Sequence, residues 1–240
     1  MKRIYSKRAR LIAAVLLGVI LAGGFWATPS LQALAQEIID FFVPGGSDTT
    51  SATVFVGGEP HAESADPLSL SLGDLAAQAD FDVRLPTFIP ETYHFVGATY
   101  QADFQFATLM YECREPWRVV ITERQTDETV TPMEVGASAV VEDVAIGDVI
   151  GQYVRGTWRY EVDAEAIANQ GDTVEAVPAT RVWTNDSDWQ QLFWRDSGLS
   201  LAVMTGGGLI TTDGPNPCSL TKDDYVAIAE GLQPASTIEQ

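Results

Sequence analysis

The sequence predicts an α+β fold: an N-terminal transmembrane helix, then a curved antiparallel β-sheet domain with a short N-terminal helix and a C-terminal helix packed on one face. Three observations predict it. An uncharged apolar run, Leu11–Ala27, follows a basic tail; apolar residues then alternate with period two over most of 83–205; and helical spacing marks 70–81 and 221–232. The expected divisions are a cytoplasmic tail (1–10), the transmembrane helix (11–28), a membrane-proximal helix and flexible spacer (29–69), an extracytoplasmic domain (70–235) and a short tail (236–240).

The apolar run holds 17 residues. As a helix it covers about 26 Å, near the lower limit for crossing the roughly 30 Å hydrocarbon core. Lys2, Arg3, Lys7, Arg8 and Arg10 precede it, so the positive-inside rule holds the N-terminus in the cytoplasm and exports the rest of the chain. The expected location is the plasma membrane, in single-pass topology. A cleaved signal peptide is the competing reading, with Ala33-Leu34-Ala35 before Gln36 as the cleavage pattern and a secreted product. Against it, Leu31, Leu34, Ala35, Ile38, Ile39 and Phe42 follow helical spacing across that site.

With five basic residues in the tail, nine remain beyond it against 33 acidic ones, a formal charge of −24. Such a surface repels nucleic acid and anionic headgroups, which disfavours both as partners; no nucleic-acid partner is expected. Two cysteines, Cys113 and Cys218, lie in the part expected to be exported. An oxidising compartment permits a bridge between them; the alternative is two buried thiols that never meet.

Residues 43–67 are rich in Gly, Ser, Thr, Pro and Ala and read as a flexible spacer, interrupted by one short strand at Thr53–Val56. LSLGDLAAQADF (70–81) reads as a short helix with Leu72, Leu75, Ala76 and Ala79 on one face. Strands are expected at 83–85, 93–101, 106–113, 117–124, 138–145, 148–155, 179–184, 189–195 and 199–205. Val119, Val120 and Ile121 in WRVVITER are β-branched. Arg195-Asp196-Ser197-Gly198 reads as a hairpin with Gly198 left-handed. EVDAEAIANQGD, within 161–176, reads as a helical turn between strands. Thr221 is the expected N-cap of the last helix, with Asp223 and Asp224 at its positive end and Tyr225, Ile228, Ala229 and Leu232 as its buried stripe.

Catalytic and metal-binding patterns are sparse. His61 falls in the spacer, and His94 lies in a strand between aromatic neighbours; neither has a ligand partner at zinc spacing. Gly206-Gly207-Gly208 lacks the Lys-Ser/Thr of a phosphate loop, and no GxSxG elbow is present. Asp186 and Asp188 in TNDSDW lack the Gly and Glu of a calcium loop and read as a solvated hairpin. Asn185-Asp186-Ser187 is formally a glycosylation sequon. A hydrolase built on Asp186 or Glu142 has no paired partner. No enzyme, cofactor or metal site is therefore expected. Trp183, Trp189 and Trp194 cluster around one hairpin. They read either as sheet–helix core or as an apolar ligand face for a lipid, acyl chain or peptide.

AQADFDVRLPTFIPETYHFVGATY, ending at Tyr100, resembles the opening of the domain-of-unknown-function family 4367, with its F-x-v-x-x-P-x-y-l-P-x-x-Y pattern. The resemblance continues through Tyr111, Val119–Ile121 and VEDVAIGD (141–148) to QLFWRDSGLSLAVMTGG and DDYVAIAEGL, covering roughly 70–235. ATPSLQALAQEIIDFF (27–42) is similar to the membrane-proximal stretch of such proteins. The resemblance implies a bacterial extracytoplasmic domain on single-pass proteins related to anti-sigma regulators, with a sheet like that of lipoprotein carriers. The chain departs from that pattern, because ten residues before the apolar run are too few for a cytoplasmic sigma-binding domain.

The expectation is a non-enzymatic, membrane-anchored extracytoplasmic sensor or binding domain working through an envelope or membrane protein. The alternative is a carrier or chaperone-like module, anchored or secreted, for a lipid or lipopeptide.

Overall fold

The computed structural model describes residues 40–56, 68–114, 117–126, 131–163, 175–185, 188–206 and 218–238. In chain order the strands are β1 (Phe42–Pro44), β2 (Thr49–Val56), β3 (Arg84–Pro86), β4 (His94–Gln101), β5 (Phe106–Arg114), β6 (Trp117–Gln125) and β7 (Met133–Val135). They continue with β8 (Val141–Ile146), β9 (Val149–Arg155), β10 (Thr157–Val162), β11 (Glu175–Thr184), β12 (Gln190–Asp196), β13 (Leu199–Gly206) and β14 (Leu232–Pro234). Helix α1 (Leu72–Gln78) precedes β3, and α2 (Lys222–Glu230) precedes β14. The described chain is mostly β-sheet with these two helices.

A seven-stranded curved sheet in the order β4-β5-β6-β13-β12-β9-β8 forms the centre, antiparallel at every pairing. The period-two pattern explains its buried face. Ala98, Leu109, Ile121, Val203, Leu192 and Tyr153 stand opposite one another in a single row across six strands. All six are buried, because alternate residues of a strand share a face. Leu75 of α1 and Tyr225, Ile228 and Ala229 of α2 pack into the same core.

Both helices begin with reciprocal caps. Ser71 and Asp74 form one capping box, Thr221 and Asp224 the other. Each satisfies main-chain donors that a helix start otherwise leaves bare, worth about 1 kcal/mol. Lys222 of α2 reaches Glu142 of β8 at 2.7 Å. The β12–β13 hairpin turns through two left-handed residues, Ser197 (φ 52°) and Gly198 (φ 80°). Both central residues of a type I′ turn need positive φ, so Ser197 joins the expected Gly198 there.

The opposite face of the sheet is covered at the β12-β9-β8 end by a second layer that the sequence did not suggest. It consists of the antiparallel sheet β10-β11-β2 and the parallel pair β1–β7. Phe41, Phe42, Val135, Val154 and Trp183 form its core, with Trp158, Val141 and Phe193 packed against them.

Four expectations change. The spacer expected over 43–67 is folded through Val56: β2 begins at Thr49 rather than Thr53, and residues 57–67 lie outside the described ones. The physical reason is the run of β-branched residues Thr49, Thr50, Thr53, Val54 and Val56 behind two phenylalanines that bury themselves. Phe42, expected on a helical stripe, opens a strand instead. Glu161 and Val162, expected in a helical turn, end β10, and Glu175 and Ala176 begin β11; residues 164–174 lie outside the described ones. The strand expected from 138 starts at Val141, because the carbonyl of Gly136 accepts from the N–H of Ala139 in a tight turn.

Pro178 stands in β11, between two neighbouring strands, without costing a ladder bond to β2. Trp183 donates its N–H to the carbonyl of Asp48, so the alternation along the ladder turns the main chain of Val177 and Ala179 toward β2. Pro178 then faces the other way, just past the end of β10 at Val162.

Among the described residues no helix is long and apolar enough to cross a membrane. Leu11–Ala27 lies outside them.

Candidate functional site

Gln152 stands at the middle of β9, where both faces of the strand are covered and Gly151, Gln152, Tyr153 and Val154 are all buried. A buried amide must find partners for its oxygen and its nitrogen. Its Oε1 accepts the N–H groups of Phe41 at 2.7 Å and Phe42 at 3.1 Å. Its Nε2 donates to Oδ1 of Asp143 at 3.2 Å and, more weakly, to Oδ1 of Asp40 at 3.5 Å. The Phe41 carbonyl in turn accepts from Met133, while the ring of Phe42 meets Phe193 edge-on at 5.2 Å. One side chain thus clamps the segment Asp40–Phe42 to the sheet.

Trp158 and Trp183 flank this clamp in an edge-to-face contact at 5.4 Å, and the guanidinium of Arg181 lies 4.1 Å over the Trp158 ring. Both indole N–H groups are satisfied: Trp158 donates to the Glu134 carbonyl and Trp183 to Oδ1 of Asn185. The clamp thus sits in a packed aromatic layer.

On the other face of the sheet a carboxyl is sealed in the core. Glu123 of β6 lies between Ala107 and Leu201 on the neighbouring strands and has no exposed surface. Its Oε2 accepts the main-chain N–H of Arg84 at 2.8 Å, and its Oε1 has no hydrogen-bond partner among the described residues. Burial pushes its pKa up to about 8; the Arg84 N–H and charge pull it down, and the charge of Asp82 pushes it up. It is therefore mostly protonated at neutral pH.

The Arg84 guanidinium points away to Asp196, 2.6 Å from Oδ2. Burial raises the Asp196 carboxyl, but hydrogen bonds from Arg84 and Ser197 and the Arg84 charge outweigh it and hold the pKa below the ordinary value. Asp82 accepts from the N–H and hydroxyl of Ser236, beyond β14.

Cys113 and Cys218 form a disulfide, with Cα atoms 6.3 Å apart. Around Cys218 a polar cluster joins α2 to the sheet. Tyr93 donates to the Cys218 carbonyl at 2.7 Å, and Gln190 donates through Nε2 to the Leu220 carbonyl at 2.9 Å. Tyr153 donates to Oε1 of Gln190, and the hydroxyls of Thr205 and Tyr225 pair with each other. Burial and the Asp224 charge push the Tyr93 pKa up to about 12; burial raises Tyr111 and Tyr225 as well. Tyr93 and Tyr225 keep their protons as structural donors, Tyr225 to the Gln190 carbonyl at 3.3 Å.

The structure does not gather Trp183, Trp189 and Trp194 on one surface. Trp194 is buried in the main core, Trp183 in the second core on the opposite side of the sheet, and half-buried Trp189 belongs to neither. The reason is alternation: the hairpin strand carries Trp194 on one face while β11 carries Trp183 in the other layer. The single apolar face considered for them is not assembled.

His94 is exposed at the start of β4, while His61 and Asp186 lie outside the described residues. The Asp188 carbonyl accepts from the Thr205 hydroxyl at 3.4 Å. Glu142 is occupied by Lys222. Among the described residues no group of three His, Cys, Asp or Glu side chains could hold a metal ion.

Sequence reasoning overlooked Glu123 and Gln152. Glu123 had a signal, since it shares the period-two face of Val119 and Ile121. Gln152 had none, because no pattern in IGQYVR announces a second layer. No protein-family model, curated protein or solved structure matches the chain.

Proposed function

We propose that the chain is a non-enzymatic, single-pass membrane protein whose extracytoplasmic α+β domain senses or binds an envelope protein. The clamp carries this reading. Phe41 lies only thirteen residues beyond the expected membrane helix, and Gln152 holds it and Phe42 from inside the sheet. An attachment bonded this deeply suits a domain that works where it is tethered. The disulfide fits an oxidising compartment, and the carboxylate excess fits an exported surface. The resemblance to the domain-of-unknown-function family 4367 supports the same placement, on a protein related to anti-sigma regulators.

The carrier reading needs an apolar surface other than Trp183, Trp189 and Trp194, since two of these are buried in separate cores. The glutamate sealed in the core cannot meet a substrate, which favours binding over hydrolysis.

Intact mass spectrometry of protein extracted gently from membranes tests the proposal. A chain beginning near Met1, found in the membrane fraction and resistant to alkaline extraction, is the expected result. A mature N-terminus at Gln36 in the soluble fraction overturns the anchor and leaves a diffusible protein.

A further inference from the structure

We propose that the outer edge of β2 is a strand-addition site for an extended, net-basic segment of a partner protein. The inference rests on the partner-binding role proposed above and assigns that role a surface.

The direction of the β2 main chain follows from one hydrogen bond. Trp183 and Asp48 stand opposite each other, and the Trp183 N–H donates to the Asp48 carbonyl at 2.8 Å. Opposite residues in an antiparallel ladder alternate between pairs that exchange hydrogen bonds and pairs that exchange none. Thr50, Ala52, Val54 and Val56 therefore face β11, while Thr49, Ser51, Thr53 and Phe55 turn their N–H and C=O groups outward. The lack of an N–H on Pro178, opposite Thr53, agrees with this phase. Thr49 is already satisfied, since Ser47 Oγ accepts its N–H and donates to its carbonyl. Ser51, Thr53 and Phe55 remain, and among the described residues no strand lies beyond them.

Edges of this kind are usually blunted by charge, proline, a bulge or a covering segment. The other long edges of this protein are. At β4 there is a bulge between Phe95 and Gly97, Leu70 exchanges both of its main-chain hydrogen bonds with Ala98, and a Cβ on Gly97 would collide with the Leu68 carbonyl. The β8 edge carries Glu142 and Asp143, and the β10 edge carries Arg159 and Glu161. By contrast, β2 is eight residues long, TTSATVFV, without a charge or a proline, and its pairing runs without a register shift. Ser51 and Thr53 are exposed beside exposed Ala176 and Pro178 of β11, a shallow uncharged surface for the alternate side chains of an added strand.

Charge selects the occupant. Beyond the basic tail the chain has nine basic and 33 acidic residues, so a second copy would bring the same strongly negative field to an uncharged edge. A basic extended segment is attracted instead, while its main chain supplies the hydrogen bonds.

The test uses the full chain in detergent micelles and a synthetic peptide of about ten residues alternating lysine with threonine and valine, with a glutamate-for-lysine control. Hydrogen exchange at 49–56 is expected to slow about tenfold or more with the lysine peptide, and to be unchanged by the glutamate peptide. Thr53→Pro removes an outward N–H, and Thr53→Lys places a charge on the edge; each is expected to abolish the protection. Should Thr53→Pro fail to fold, Thr53→Lys keeps the main chain intact and decides alone. Absence of protection anywhere overturns the inference. Peptide protection at β4, β8 or β10 overturns the edge assignment but leaves the binding role standing. Protection of 49–56 without peptide, rising with protein concentration as the mass doubles, also overturns it by assigning the edge to a second copy. A soluble chain starting at Gln36 that still shows the lysine-peptide effect would sink the anchored role and spare the edge.

Discussion

The main-chain N–H of Arg84 hydrogen-bonds Oε2 of Glu123 at 2.8 Å, so the three-residue strand β3 hangs from a carboxyl in the main core. The strand matters because β3 pairs with β14, which leaves α2, and the Ala235 N–H donates to the Val83 carbonyl. The end of the chain is therefore fastened through β3 to Glu123. The Arg84 side chain reinforces the same junction by pairing with Asp196 on β12.

Stability should fall as pH rises from about 4.5 to about 8. The folded-state pKa of Glu123 is raised from 4.5 to about 8, so over that window the native state holds a proton that the unfolded chain releases. Between the two values the loss is on the order of 5 kcal/mol as an upper bound. Glu123→Gln keeps an acceptor for Arg84 and cannot ionise. Thermal unfolding of both proteins across this range is the check. The wild type should lose stability relative to the variant as pH rises, and parallel profiles would remove Glu123 as the cause.

Removing the clamp should loosen Phe41 and Phe42. Gln152→Ala leaves the N–H groups of Phe41 and Phe42 buried without their acceptor. Unsatisfied buried donors cost about 1–3 kcal/mol each. The expected result is a loss of about 2–4 kcal/mol in denaturant unfolding, with faster amide exchange at 41–45 and 133–135. Unchanged exchange there would show that Phe41 and Phe42 are held by ring packing alone.

What the sequence made legible followed from periodicity. Short runs rich in β-branched and aromatic residues, such as Val119–Ile121 after the Glu115-Pro116 turn, located the central strands, and Leu109, Ile121, Leu192 and Val203 are buried on the face that strand alternation gives them. The caps at Thr221 and the turn at Gly198 were readable because each needs a particular residue type. The second layer was not. Its strands β1 and β7 have three residues each, too short for alternation to register, and their pairing is parallel between distant segments. The tryptophans were misleading for a related reason: proximity along a chain does not reveal which layer a strand will join. Trp183 and Trp194 belong to β11 and β12, strands of different sheets.

Reduction of the disulfide should destabilise the domain, because Cys218 is buried in the main core and Cys113 packs against it. Cys113 and Cys218 close a loop of 105 residues, and on the chain-entropy view such a crosslink contributes up to about 4.7 kcal/mol. Its native-state neighbours make the loss local as well. The Cys218 carbonyl accepts the Tyr93 hydroxyl, and two residues later the Leu220 carbonyl accepts from Gln190, just before the Thr221 cap of α2. A Cys113→Ala, Cys218→Ala double variant should therefore lose several kcal/mol in denaturant unfolding. Amide exchange should quicken first in α2 and next in β14. Reductant should bring the wild type to the same unfolding midpoint without moving that of the variant. If reductant leaves the wild type unaltered while free thiols appear, the crosslink contributes nothing and the hydrogen bonds around Tyr93 and Gln190 hold this end by themselves.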